Sequence, residues 1–141
     1  MEISFNQIFD GVTLALHEAF PAAQIYGEIV RQGLEPGDFN VQLVSASEAG
    51  QLGSRSERSI TFDVLFFPPE NDGLETCMDV LARLPNVLST ITTPNGDKVH
   101  CLKLDGSIKE DVLHCIASYP HFVYSPADGD AMESVTTVQE V

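Results

Sequence analysis

The 141-residue chain has no tryptophan, three cysteines and only seven lysines and arginines, and each scarcity excludes something. Three widely scattered cysteines, an odd number, do not make a disulfide framework and fit a reducing cytoplasm. Long apolar runs are missing too. Stretches such as Val64–Phe67 are far too short to cross a bilayer. The opening MEISFNQIFD is acidic and lacks the basic start and continuous apolar stretch of a signal peptide. Seven bases against twenty-one acids leave a net charge of −14. That charge repels phosphate and argues against sequence-independent nucleic-acid binding. It serves solubility, or a surface that stays near DNA without adhering to it. Phosphate-binding glycine loops, HExxH and CxxC are all missing.

What is present is one domain's worth of alternating elements. A hydrophobic content of 43% with 20% charged residues describes a folded globular chain. Phe5, Ile8, Phe9, Val12, Leu16 and Ala19 recur at helical spacing, which predicts an amphipathic helix over Ser4–Phe20 stopped by Pro21. AQIYGEIV suggests a short strand, followed by the turn-forming RQGLEPGD. In FNVQLV the alternation of Phe39, Val41 and Leu43 with Asn40 and Gln42 predicts a half-buried strand. Ser45–Ser59, rich in serine and glycine, reads as a long loop. From Ile60 a second strand places Phe62, Val64 and Phe66 on one face, up to Pro68-Pro69.

NDGLETCMDVLARLP predicts a second helix. Asp72 and Glu75 form a capping box, Leu74, Cys77, Met78, Leu81 and Leu84 form its stripe, and Pro85 ends it. TTPNGDK is a hairpin turn between strands near Val87–Thr92 and Val99–Leu104. DVLHCIASYPHFVY is a further strand, with Pro120 marking an edge or bulge. The expected fold class is α+β, a mainly antiparallel sheet with two helices packed on one face. It forms a single domain over 1–125, and Pro126–Val141 follows as an acidic flexible C-terminal tail.

The chemistry-bearing residues are few. The dipeptides His100-Cys101 and His114-Cys115 could bring zinc ligands together across strands. Adjacent strand residues point to opposite faces, however, so each dipeptide offers one ligand to a given site, and no metal or cofactor is expected. Cys77 sits on an apolar helix face where a thiolate is disfavoured. His17 and His121 have no nucleophile beside them in sequence, and Asp63 reads as the solvent face of an edge strand. No catalytic residue is expected. Two rival readings stay open: a small hydrolase or isomerase using Asp63, His114 or Cys115, and a monomeric ligand-binding module with a closed apolar cavity.

The ordered series IYGEIVRQGLEPGDFNVQL and LGSRSERSITFDVLFFPPEN resembles the tail terminator family of contractile-tailed phages and related prophage tail-like particles. The matching positions are Ile25, Tyr26, Gln32, Gly33, Glu35, Pro36, Phe39, Arg55, Arg58, Phe62, Phe67 and Pro68. Near the C-terminus Asp111, Leu113, His114 and Tyr119 of EDVLHCIASY resemble the family's closing strand. Ser56, Asn40 and Cys115 stand where the family favours aromatics.

The resemblance implies a non-enzymatic virion assembly protein, a ring-shaped homo-oligomer, a hexamer by family pattern. Such a ring caps the last tube ring, stops tube elongation and gives the head–tail connector a surface to dock on. The implied partners are other copies of the chain, the tail tube protein and the connector protein. DNA passes the lumen without specific binding, and no membrane is involved. The implied place is the virion tail, assembled in the bacterial host cytoplasm. An acidic lumen would let DNA slide, every phosphate being repelled. On so acidic a chain the fork-shaped Arg55 and Arg58 are the expected anchors at a subunit or tube interface. Glu48, Gln32, Gly33 and Asp63 complete the expected interface set.

Overall fold

The computed structural model describes residues 3–27, 35–50 and 53–124. Gln32, Gly33 and the expected tail Pro126–Val141 lie outside the described residues. The element order is α1 (Phe5–Ala19), β1 (Ile25–Tyr26), β2 (Phe39–Gly50), β3 (Arg55–Phe66), α2 (Gly73–Leu88), β4 (Thr90–Thr92), β5 (Lys98–His100), β6 (Lys103–Lys109) and β7 (Val112–Tyr124). Five strands form one sheet in the order β1-β2-β3-β7-β6, antiparallel except for the β1–β2 pair, and β4–β5 form a separate hairpin. This is the expected α+β fold, with both helices contributing to the core on one face of the sheet.

Helix α1 begins where its capping chemistry says it should. Ser4 Oγ accepts the Gln7 N–H at 3.1 Å and Gln7 Oε1 accepts the Ser4 N–H at 3.1 Å, a reciprocal box that satisfies two orphan donors. Its buried face is Ile8, Gly11, Val12 and Leu16. Gly11 allows a close approach, since a Cβ there would meet the Thr92 carbonyl oxygen at 3.0 Å.

Helix α2 departs from expectation three times. Asp72 takes a left-handed φ of 58° and makes no side-chain cap bond, so the capping box with Glu75 does not form. Pro85 lies inside the helix, which continues to Leu88. Leu84 and Leu88 are fully buried there, and their packing holds the last turn despite the N–H that proline lacks. The buried stripe is also rotated to Cys77, Val80, Leu84 and Leu88. It leaves Leu74 and Met78, expected inside, 64% and 55% exposed. Arg83 ties the helices together: Nη2 donates to the Ala19 carbonyl at 2.7 Å and Cζ stands 4.2 Å from the centre of the Phe20 ring.

The short strands differ in their ends. Val87 and Leu88, expected in a strand, belong to α2, and the expected strand Val99–Leu104 is split between β5 and β6. The turn between β4 and β5 uses Gly96 at φ 89°, with the Asp97 N–H donating to Thr93 Oγ1 at 3.1 Å.

The largest correction concerns Ser45–Ser59. It is not a long loop: β2 runs to Gly50 and β3 starts at Arg55, paired residue by residue from Ser45↔Thr61 to Gly50↔Ser56. A register shift between Leu43 and Ser45 marks a bulge that bends the strand where its burial ends. The backbone of a serine-rich segment forms a ladder as readily as any other once a neighbouring strand presents partners. β7 extends alongside as far as Arg55↔Tyr124, so the segment becomes a three-stranded arm. Pro120 sits where an edge allows it, because β6 ends at Lys103↔Ser118 and β7 continues past it.

The core lies between the helices and the inner face of the sheet, and Tyr119, Phe39, Phe62, Ile8 and Leu16 are its largest fully buried side chains. Tyr119 buries its ring and donates its hydroxyl to the Leu88 carbonyl at 2.7 Å, closing the end of α2 onto β7.

Candidate functional interface

The arm holds most of the residues expected to act. Glu48 and Arg58 face each other in register, and Arg58 Nε donates to Glu48 Oε1 at 3.0 Å. Arg58 also stands with Cζ 5.4 Å from the centre of the Phe5 ring, and Phe5 meets His121 edge to face at 6.1 Å. One side of the arm is thus a stack in which α1, β2, β3 and β7 each contribute one group. Arg55, on the opposite face, lies 4.5 Å over the Phe122 ring. Both arginines lie over aromatic faces, Arg58 half-buried and Arg55 exposed.

Electrostatics inside the stack are asymmetric. Burial is the first cause that lowers the His121 pKa below its usual 6.5, and the nearby Arg58 charge lowers it too, against a raising hydrogen bond to the Tyr119 carbonyl. His121 Nε2 is buried without a hydrogen-bond partner among the described residues. A neutral imidazole suits that place, since charging it beside a guanidinium would add repulsion to desolvation.

Asp63 does not lie on an edge, because β3 is the middle strand of the five. It faces the side of the sheet opposite the helices, where Asp63 Oδ2 and His114 Nδ1 meet at 2.8 Å, half-buried. The cross-strand register explains the contact: His114 lies opposite Leu65, and Asp63, two residues along β3, is its diagonal neighbour. Asp63 Oδ1 is buried and has no hydrogen-bond partner among the described residues.

The hydrolase constellation does not assemble. Cys115 points into the core, fully buried, and burial pushes its thiol up to about 12, far from a working nucleophile. The Cys77 and Cys101 thiols are raised for the same first reason. His100 bonds to Thr90 Oγ1 at 2.9 Å in the small hairpin, and Cys101 Sγ donates to the Lys103 carbonyl at 3.1 Å. Among the described residues no three potential metal ligands come together.

Two features escaped the sequence reading. The first is the apolar groove between α1 and the arm, about 460 Å³, lined by Phe5, Phe9, Leu43, Ala46, Ile60 and Phe62 among others. The spacing of Phe5 and Phe9 signals a helix face, but nothing in sequence pairs that face with Leu43 and Ala46. The second is charge placement. In the sheet Arg55, Arg58, Lys103 and Lys109 are balanced by Glu48, Glu57, Asp63 and Asp105, so its strands carry no net charge. The whole excess of −14 lies outside that sheet. No helix among the described residues is long and apolar enough to cross a membrane.

Against known proteins, a family model described as phage tail terminator protein matches residues 7–131. No curated protein matches the chain. Among solved structures, the fold is similar to a chain from the virion of a native gene transfer agent (GTA) particle, with a TM-score of 0.56 and 13% identity. That likeness covers 86% of this chain and 100% of the other, and at this identity it speaks to the fold.

Proposed function

The chain belongs to the phage tail terminator protein family, and from that premise we propose that it caps a phage tail tube as a ring of identical copies. Its role is structural, within a tail. The observation that carries the reading is the reach of the family match, residues 7–131, which takes in every strand and nearly all of both helices. In this reading the ring ends tube elongation and presents the surface on which the head–tail connector docks. Its partners are its own copies, six to a ring as the family resemblance implies, the tail tube protein and the connector. The ring is assembled in the host cytoplasm and remains in the virion tail.

The protein works without catalysis or cofactor. A capping ring needs complementary surfaces and a passage, and DNA crosses that passage unheld because an acidic chain repels its phosphates. The arm is the proposed interface, with Arg55, Arg58 and Glu48 on it, and Asp63, Gln32 and Gly33 are further proposed contact residues. Arginines already laid on aromatic rings are pre-organised for carboxylates of a neighbouring subunit.

The test is a mass measurement of the purified protein in solution, repeated with purified tail tubes. The expected result is a ring, and tubes that no longer lengthen when tube protein is added. A monomer that leaves tube growth unchanged would sink the reading. The Arg55→Ala, Arg58→Ala double variant tests the anchors. It should fold normally yet cap tubes poorly, since truncating interface arginines commonly costs about 2 kcal/mol or more of binding.

A further inference from the structure

The arm leaves two strand edges open. β1 pairs with β2 at Phe39 and Asn40, a bridge that also takes up the Val41 N–H, so among the described residues β2 from Gln42 to Gly50 is bonded on one side only, to β3. On the opposite side of the sheet β6 stops at Ser118, and β7 from Tyr119 to Tyr124 pairs only with β3. These edges are not equally protected. The Ser118 carbonyl accepts the Leu102 N–H on the β6 side, so Pro120, two residues on, turns its N–H-less nitrogen to the same open side. β6 itself carries Lys103 and Lys109. The β2 edge carries neither lysine nor proline. Leu43 and Val44 beside it are 62% and 53% exposed, and the apolar groove under Leu43 and Ala46 opens along it.

An unblunted edge beside an apolar groove is a template for strand addition. We infer that the β2 edge, Gln42–Gly50, is the joint between copies and takes the open β7 edge beyond Pro120, His121–Tyr124, of the next copy. Charge selects a second copy as the occupant. Two molecules of −14 repel, and they approach with least repulsion through the strands of the five-stranded sheet, which carry no net charge. Phe122 and Tyr124, 45% and 61% exposed, supply the apolar area on the β7 side. The two edges differ, so the contact is head-to-tail, the kind that closes into a ring. β2 and β7 both run antiparallel to β3 and hence in the same direction. Rotation about an axis along the strands therefore brings them together as a parallel pair. The inference rests on the ring reading and specifies its seam.

Amide hydrogen exchange of the full chain, as monomer and as assembled ring, tests it. The Phe39 N–H points away from β3, toward the Gln24 carbonyl. By the two-residue repeat the Val41 amide points the same way, to the Tyr26 carbonyl of the β1 ladder, and the Leu43 amide is the first to face the open side, with alternate amides following after the bulge. These open-side amides should exchange freely in the monomer and slow by about tenfold or more in the ring. A ring without that protection overturns the joint and leaves the terminator reading standing. Protection already present in the monomer shows the edge covered by its own chain and overturns the joint as well. A dimer closed through β2 alone overturns the head-to-tail arrangement, and the absence of any assembly overturns both readings. Leu43→Lys leaves every backbone group in place on an exposed position. It should weaken association about tenfold or more by charging the edge. Association equal to the parent's would count against the joint.

Discussion

The two ends of the same sheet are held together by different forces. At its base, Phe39, Val41, Phe62, Val64, Leu113 and Cys115 alternate inward and meet two helices, so side-chain burial sets the stability. In the arm the same strands continue with serine, alanine and charged residues, and the β2 residues are exposed from Leu43 onward. What holds the arm is the backbone ladder, the Glu48–Arg58 pair and arginines laid on Phe5 and Phe122. Burial of apolar area is worth roughly 25 cal/mol per Å², whereas an exposed ion pair adds about 1 kcal/mol or less. The base should therefore fix folding, and the arm should be stable enough to exist yet free to bind.

Substitutions at the two ends should separate accordingly. The largest effect is expected from Phe62→Ala, which empties a site that is 2% exposed between the Phe9 and Tyr119 rings. A loss of about 3–5 kcal/mol in denaturant unfolding is expected, and a loss no larger than that of an arm variant would break the comparison. Next comes Tyr119→Phe, which keeps the ring and leaves the Leu88 carbonyl without its buried donor. Here about 1–3 kcal/mol should be lost, with little change in the circular dichroism spectrum.

Arg58→Ala should be milder. It removes one partly exposed pair and one ring contact, together about 1 kcal/mol or less, read as a small shift in the denaturant midpoint. A much larger loss would mean that the arm supports the core. The smallest effect is a pH slope. His121 is held neutral, its folded pKa below the usual 6.5. Below that pH the unfolded chain binds the proton first, so stability is complete above it and declines as pH falls toward the folded value. Stability measured from pH 7.5 to 5.5 should decline, and His121→Gln should flatten that part of the curve. A parent protein with no slope there would remove the asymmetry assigned to the stack.

How much of this was legible in sequence follows the same division. Ser4, Gln7 and the three-and-four spacing up to Leu16 announce α1, because capping and amphipathicity act within one turn. Phe39, Val41, Phe62 and Val64 announce their strands by alternation. The arm reads locally as a loop because serine and glycine have low strand propensity, and propensity yields to a partner strand that local sequence cannot display. Leu74 and Met78 fit a helical stripe as well as Val80 and Leu88 do. Only the position of the sheet decides which of them is covered. Asp63 and His114 stand 51 residues apart, and their 2.8 Å contact exists because β3 and β7 adopt one register.

By itself, then, the sequence determined the two helices and the strands at the base of the sheet, the acidic balance and the ordered family resemblance, since all three reside in local residue chemistry. Tertiary structure alone decided that the serine-rich segment is an arm, that the strands of the five-stranded sheet are electrically neutral while the rest carries the acid, and that among the described residues the far part of β2 pairs on one side only. Those properties belong to neighbours in space. They are set by strand register and helix placement, which the long-range burial of Phe62, Tyr119 and Leu84 enforces.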